Sequence, residues 1–271
     1  MDRIIHVNIP YGILRDQITV VLEKRLNPEI YLNGDTLDRL NPEEVQDLAK
    51  TLAENNLSVS IHGPFMDLSP GGVDCRVRKV TEDRFMQALE AASYFNPRAL
   101  VLHGGYNRWY FNGNTGLWLE RSLLTWGATL KRARKLNIPI AVENIFEEEP
   151  STLKKLMTAV NDPLFGICFD PGHFNLFTKV PMSVWLETLG PHILEIHLHD
   201  NHAANDDHLP MGEGAIDFAE LFDLLKQHSV SPIYTIEPHR VQGVEKSLDA
   251  CRRYLERMDR PESRGIEPDA G

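Results

Sequence analysis

The segment IPIAVENIFEEEPSTLKKLMTAVNDPLFGICFDPGHF, residues 138–174, contains two short apolar runs, each ending in an acidic residue. The runs at 138–143 and 165–170 have the length and composition of buried strands, and they end at Glu143 and Asp170. The acidic run at 146–150 predicts a solvated helix start, because negative charge is favourable at the positive end of the helix dipole. This order of strand, helix and strand indicates neighbouring parallel strands.

The same alternation extends along the chain. Eight strand-like runs lie at residues 4–9, 29–33, 58–62, 99–103, 138–143, 165–170, 193–198 and 233–237. Segments between them, such as 42–56, 117–137 and 216–229, carry apolar residues at helical spacing. This pattern in 271 residues predicts the α/β class and a single closed (β/α)8 TIM barrel over residues 1–258. Residues 259–271 turn to proline, glycine and charge, which predicts a disordered tail.

The composition of the chain restricts the classes of molecule that it is expected to bind. The chain is 42% hydrophobic and 25% charged, as expected for a globular protein, and its formal net charge of −11 opposes binding to nucleic acid and anionic membranes. Three widely spaced cysteines indicate neither a disulfide framework nor a thiolate metal site. No apolar stretch approaches the roughly 20 residues that span a bilayer. We therefore expect a cytoplasmic protein without a membrane partner.

Polar side chains follow six consecutive predicted strands, at the end where the active sites of such barrels lie. Nine imidazoles and carboxylates fall there: His62, His103, Glu143, Asp170, His173, His197, Asp206, His208 and Glu237. Crowded carboxylates repel one another, and a divalent cation would neutralise them. Histidine and carboxylate ligands without cysteine suit zinc or manganese. The sequence therefore predicts a site for a divalent metal ion.

The segments GICFDPGHFN (166–175), HLHDN (197–201) and DDHLPMGEGAIDF (206–218) resemble the xylose-isomerase-like TIM barrels. The resemblance extends from about residue 4 to about residue 258. That family includes sugar isomerases and epimerases as well as endonuclease IV. In the epimerase branch a single metal is held by four side chains, and the resemblance places them at Glu143, Asp170, His197 and Glu237.

The resemblance to endonuclease IV implies a different function, in which the site holds up to three zinc ions and the substrate is abasic DNA. The additional ligands would then be His62, His103, His173, Asp206 and His208. The chain departs from the nuclease pattern in two motifs. The nuclease motif HLND is HLHD here, at 197–200, and the nuclease motif DRH is DDH, at 206–208, so the arginine of that motif is missing. The intervening loop is also shorter. A third alternative is a barrel that binds metal and sugar without turnover.

The resemblance to the epimerases implies a metal-dependent isomerase or epimerase that acts on a small sugar or sugar phosphate through an enediolate. Glu143 and Glu237 would exchange the proton as an acid/base pair, and His173 would orient the substrate. Either this chemistry or phosphoester hydrolysis is compatible with the cluster.

Four further residues are expected to bind substrate. Tyr106, Arg108 and Trp109 belong to the glycine- and asparagine-rich loop 103–116, which would either cap the substrate or pack onto the barrel. Arg240 follows the last strand, where many barrels bind a phosphate. His199 is expected to be structural, on the outer side of the seventh strand or at its rim.

Overall fold

A computed structural model describes residues 3–238 and 240–260. Eight strands form a closed barrel in which each strand is parallel to the next and the last pairs with the first. They are β1 (Ile5–Pro10), β2 (Asn27–Tyr31), β3 (Ser60–His62), β4 (Leu100–His103), β5 (Ile140–Glu143), β6 (Phe165–Phe169), β7 (Ile193–Leu198) and β8 (Ile233–Ile236). All eight predicted strands are present, and the predicted barrel is confirmed.

Helices surround the barrel. They are α1 (Tyr11–Asp16), α2 (Ile18–Glu23), α3 (Gly34–Arg39), α4 (Pro42–Glu54), α5 (Cys75–Ser93), α6 (Thr115–Leu136), α7 (Ser151–Val160), α8 (Pro171–Phe177), α9 (Met182–Leu189), α10 (Phe218–Gln227) and α11 (Val241–Asp259). Local sequence sets several starts: the side chains of Asn41, Asp170 and Asp217 accept hydrogen bonds from the first turns of α4, α8 and α10. Most of the predicted tail, residues 261–271, lies outside the described residues.

The larger core lies between the barrel and the helices. Its largest fully buried side chains include Trp118, Trp126, Trp185 and Phe222, which the helices pack against the strands. Inside the barrel, the apolar side chains that β4, β5 and β6 contribute are small: Ala99 before β4, then Val101, Ala141 and Cys168. This half of the barrel interior therefore leaves room for groups from the opposite strands.

The other half of the interior is polar. The hydroxyl of Ser60 donates to Glu195 Oε1 at 3.1 Å and accepts from His6 Nδ1 at 2.7 Å. The hydroxyl of Thr235 also donates to Glu195 Oε1. Burial, with Glu29 close by, raises the pKa of Glu195 to about 8. This layer of hydrogen-bonded side chains forms the floor beneath the candidate site.

Within the described part of the chain, no helix combines the length and the apolar character needed to cross a membrane.

Candidate metal centre

The carboxyl ends of the strands bring the predicted ligands together, as parallel barrel geometry requires. Glu143 ends β5, Asp170 follows β6, His197 lies in β7 and Glu237 follows β8. Glu143, Asp170 and His197 are at most 2% exposed. Ligand atoms of Asp170, His197 and Glu237 lie within 4.8 Å of one another, a spacing that a single metal ion can bridge. Glu143 belongs to two overlapping groups of the same kind, one with His197 and one with Asp170, so the four predicted residues are neighbours.

His197 has its two ring nitrogens in different surroundings. Its Nε2 lies 3.2 Å from Glu29 Oε2, and Glu29 Oε1 accepts a 2.8 Å hydrogen bond from Asn8. Its Nδ1 lies 3.3 Å from Glu237 Oε2 and 3.7 Å from Glu143 Oε2, and it makes no hydrogen bond within the described residues. Nε2 donates to Glu29, so Nδ1 is the nitrogen that faces two carboxylates. Burial opposes protonation of this imidazole, but the surrounding carboxylates outweigh it and raise the pKa of His197 well above its usual value. A metal ion in place of the Nδ1 proton would have the nitrogen and both carboxylates as ligands.

Asp170 is fixed by several hydrogen bonds. Its Oδ1 accepts from the backbone N–H of His173 at 2.8 Å, and its Oδ2 lies 3.0 Å from His199 Nε2. The side chain of Asn144 both accepts from Asp170 N and donates to Asp170 O, at 2.8 and 2.9 Å. The carboxylate is therefore held in one orientation before any ligand binds.

His62 of β3 and His103 of β4 border Glu143. His62 Nδ1 donates to the carbonyl of Gly63 at 2.9 Å, which leaves Nε2 facing Glu143 Oε2 at 3.2 Å. His103 Nε2 lies 3.3 Å from the same oxygen, and its ring stacks on Phe65 with centroids 4.4 Å apart. Both imidazoles thus direct Nε2 at the carboxylate, and in His62 the bond from Nδ1 to the backbone fixes the ring as it does in metal-binding imidazoles.

His173 and His208 converge on Asp206 in a similar way. Their Nδ1 atoms donate to the backbone carbonyls of Asn144 at 3.0 Å and Glu237 at 2.9 Å. Their Nε2 atoms lie 3.4 and 3.1 Å from Asp206 Oδ2. All nine side chains predicted from the sequence therefore line one polar basin.

The imidazoles control the charge of this basin. Burial opposes ionisation of Glu143, but His103 and His197 outweigh it and hold the pKa of Glu143 well below its usual value. Burial likewise opposes ionisation of Glu237, and His197 and His208 lower its pKa below the usual value. Both glutamates are therefore carboxylates at neutral pH, the form that accepts a proton or a metal ion.

Two sequence expectations differ from the structure. His199 was expected on the outer side of β7 or at its rim, and the outer side is wrong: the residue follows β7 directly, is 1% exposed, contacts Asp170, and stacks on His208 with centroids 3.8 Å apart. Residues 195, 197 and 199 alternate by two, so they share the inner face. The solvated helix start at 146–150 is also wrong, since α7 begins at Ser151, and Glu147 is buried and accepts the N–H of Ile145. Burial raises the pKa of Glu147 to about 7.

The predicted substrate-binding residues divide into two groups. Tyr106 and Arg240 line the cavity above the cluster. Arg108 and Trp109 are absent from its described lining: Arg108 pairs with Glu148 at 2.5 Å and lies over the ring of Trp109, which is 83% exposed. Tyr106 is buried against Trp118, so the loop packs onto the barrel at that point.

A closed parallel barrel with a buried histidine and carboxylate basin at the carboxyl ends of its strands defines a class of metal-competent (β/α)8 proteins. Residues 28–255 match the family described as the xylose isomerase-like TIM barrel. The chain belongs to this family, and the resemblance noted from its motifs is confirmed.

Relatives and solved structures agree with this assignment. The uncharacterized protein MJ1311 of Methanocaldococcus jannaschii is 28% identical over 224 residues, 80% of this chain and 76% of its own. The L-ribulose-5-phosphate 3-epimerase UlaE of Escherichia coli K12 is 26% identical over 212 residues, 75% of this chain and 73% of its own. A crystal structure of a D-tagatose 3-epimerase-like protein superposes with a TM-score of 0.81 at 25% identity, covering 94% of this chain and 97% of the other.

Proposed function

We propose that the protein is a divalent-metal-dependent isomerase or epimerase of a small sugar or sugar phosphate. The observation that carries this proposal is the position of His197 Nδ1, which faces Glu143 and Glu237 together and makes no hydrogen bond within the described residues. Relatives named as epimerases of L-ribulose 5-phosphate and D-tagatose support this choice of reaction within the family.

Glu143, Asp170, His197 and Glu237 would hold the metal, with zinc or manganese as the expected ion. When bound, the ion would polarise adjacent oxygens of the sugar and stabilise the negative charge that develops on them. His62 and His173 donate Nδ1–H to backbone carbonyls, and His197 donates Nε2–H to Glu29. Metal binding would therefore require little reorganisation of these side chains.

Glu143 and Glu237 are the proposed acid/base pair. They approach the same imidazole from β5 and β8, and both are ionised at neutral pH. One carboxylate would remove the carbon-bound proton. The other would first take up a proton from solvent and then donate it to the carbon on its own side of the substrate, and the first glutamate would release the proton it gained to solvent, so that no net proton is gained or lost. His173, whose Nδ1 lies 3.1 Å from Glu143 Oε1, would orient the substrate beside this pair.

Solvent exchange tests this proposal directly. The manganese- or zinc-loaded protein is incubated with a panel of ketoses, aldoses and their phosphates in deuterated water, and carbon-bound deuterium is measured by mass spectrometry. Glu143→Gln and Glu237→Gln should each reduce exchange by at least about 10²-fold. Glu149→Gln, which alters an exposed carboxylate in the loop after β5, should leave it unchanged. Sugar binding without exchange across the panel would point instead to a non-catalytic barrel.

The geometry also favours a second candidate, a zinc phosphoesterase resembling endonuclease IV. Its basis is that His62, His103, His173 and His208 each direct Nε2 at a carboxylate, as three-ion binding would require. Incision of abasic DNA that is lost in His103→Ala and His208→Ala would establish it. Sugar exchange that survives both substitutions would oppose it.

Elemental mass spectrometry on untagged protein purified without chelator separates the two candidates. About one ion per chain would support the epimerase core, and two or three zinc ions would support the phosphoesterase. The free thiols of Cys75, Cys168 and Cys251 fit a reducing compartment, and we propose the cytoplasm as the place of action.

A further inference from the structure

The cavity above the metal centre extends well beyond the polar basin at its floor. It encloses about 1300 Å³, whereas pockets for drug-sized ligands enclose about 300–1,000 Å³. Glu143, His173, Asp206 and Glu237 line its floor, and the cavity continues without interruption to a wall formed by helices. A ligand that fills this space contacts two chemically different surfaces.

The helical wall is apolar. The first helices, α1 and α2, follow β1, and α11 follows β8, which is the barrel neighbour of β1. The wall side chains are Ile13, Val20, Val21, Val241, Val244 and Leu248. Ile13 is 52% exposed and Val241 is 80% exposed. An ion pair between Lys24, directly after α2, and Glu245 of α11 links the two sides of the wall.

Apolar side chains also line the opposite rim of the cavity. Met66, in the loop after β3, is 73% exposed, and Phe146, in the loop after β5, is 43% exposed. Phe146 meets Phe177 edge to face with ring centroids 5.2 Å apart. Removing such side chains from water stabilises a complex in proportion to the apolar area covered. A free sugar, which carries a hydroxyl on nearly every carbon, would leave this apolar surface exposed to water.

We infer that the substrate is amphiphilic: a sugar whose oxygens face the carboxylate and histidine basin, joined to an alkyl or aryl group that lies between the helical wall and the opposite rim. This inference rests on the proposed function and specifies its substrate class. The apolar group is attached at the sugar end that points away from Glu143 and Glu237 toward Ile13 and Val241.

Charge disfavours a phosphate at this outer end. In the described lining the basic side chains are Lys24 and Arg240, and Lys24 is paired with Glu245. Away from the floor, the acidic side chains of the lining are Asp67 and Glu245. With Lys24 paired, Arg240 is the remaining basic side chain of the described lining, and Asp67 opposes it in charge, so this end offers no cluster of cations for a dianionic group.

The test uses methyl, butyl, hexyl and octyl β-D-glucopyranosides, each below its micellar concentration. Their binding to the manganese-loaded full chain is measured by isothermal titration calorimetry. The dissociation constant should fall about two- to fourfold for each methylene that reaches the wall. The dependence on chain length is the readout, because it does not require that glucose be the natural sugar or that turnover occur.

Ile13→Asn and Val241→Asn place a polar group on the wall without altering the buried core. Each should weaken octyl glucoside binding at least about fivefold and flatten the chain-length dependence, while methyl glucoside binding stays unchanged. Val80→Asn is the matched control, since Val80 is 55% exposed on α5 and does not line the cavity. It should behave as the wild type.

Three results would overturn the inference. The first is an affinity independent of chain length, or a dependence that both wall variants retain. The second is tighter binding of glucose 6-phosphate than of hexyl glucoside, lost in Arg240→Ala. The third is a dimer in sedimentation velocity that Ile13→Asn dissociates, since a second copy would then cover the wall. A steep chain-length dependence in a protein that fails the deuterium-exchange test would support the apolar site and refute the epimerase chemistry.

Discussion

The imidazole of His197 is held between two carboxylate groups that use its opposite nitrogens: Glu29 faces Nε2 at 3.2 Å, and Glu237 faces Nδ1 at 3.3 Å. Glu29 is fully buried, and Asn8 donates to its other oxygen. Burial opposes its ionisation, but His197 lowers its pKa below the usual value. Glu29 would therefore keep the proton on Nε2 of His197 when Nδ1 binds a metal ion.

Glu29→Gln should weaken metal binding about 10- to 100-fold, because the ring loses the carboxylate that fixes its tautomer and raises its basicity. Competition with a fluorescent zinc chelator measures the change. Glu44→Gln, which removes a carboxylate bonded to Tyr11 outside the centre, is the control and should bind metal as the wild type does. Equal affinity of Glu29→Gln and wild type would show that Glu29 has no positioning role.

Gly172→Ala should displace His199. A Cβ at position 172 would lie 2.1 Å from His199 Cε1, and the buried ring has little room to move. We expect a loss of about 1–3 kcal/mol in the free energy of unfolding, measured by urea denaturation. Gly127→Ala is the comparison, because a Cβ there meets nothing within 4 Å, and alanine should stabilise α6 by up to about 1 kcal/mol. Equal stability of the two variants would contradict this packing.

Asp200→Asn should loosen the loop that carries Asp206 and His208. The Asp200 carboxylate accepts four backbone N–H groups, from Asn201, Gly212, Gly214 and Ile216, at 2.9 to 3.1 Å. The Asn side chain keeps one acceptor oxygen and turns its NH₂ group toward two of these N–H donors. This should lower the free energy of unfolding by about 2–4 kcal/mol.

Hydrogen exchange at the amides of Gly212 and Gly214 would report this change. Asp217→Asn, at the exposed start of α10, is the control and should leave both amides protected. Unchanged protection in Asp200→Asn would mean that other contacts hold the loop.

His6 should make stability depend on pH. Burial lowers its pKa from 6.5 to about 4, so the unfolded chain binds a proton below pH 6.5 that the folded chain excludes until about pH 4. Stability from this residue is therefore complete above pH 6.5 and is lost as the pH falls toward 4. Between pH 7 and pH 5 the wild type should lose about 2 kcal/mol more than His6→Gln.

Urea denaturation at both pH values measures this difference. His202→Gln, which removes an exposed imidazole, should show the same pH dependence as the wild type. Parallel curves for wild type and His6→Gln would show that the imidazole of His6 is not excluded from protonation by folding.

The strands and the nine polar side chains after them could be predicted because each depends on local sequence and on the rule that parallel strands end together. His199 was also within reach, since its spacing of two from His197 fixes a common face. Glu29 was not, because it faces His197 only when barrel closure brings β2 opposite β7. Glu147 was missed because its loop turns back so that its carboxylate meets the N–H of Ile145.

The polar layer beneath the metal centre also bears on how the barrel reaches a single arrangement. Glu195 of β7 meets Thr235 of β8 and Ser60 of β3, and Ser60 meets His6 of β1. A slip of two residues between any of these strands would keep the inward face but separate the partners. Each buried polar group left unpaired would cost about 1–3 kcal/mol. These hydrogen bonds therefore favour one strand alignment when the barrel closes. Apolar side chains of similar volume would distinguish between alignments less sharply.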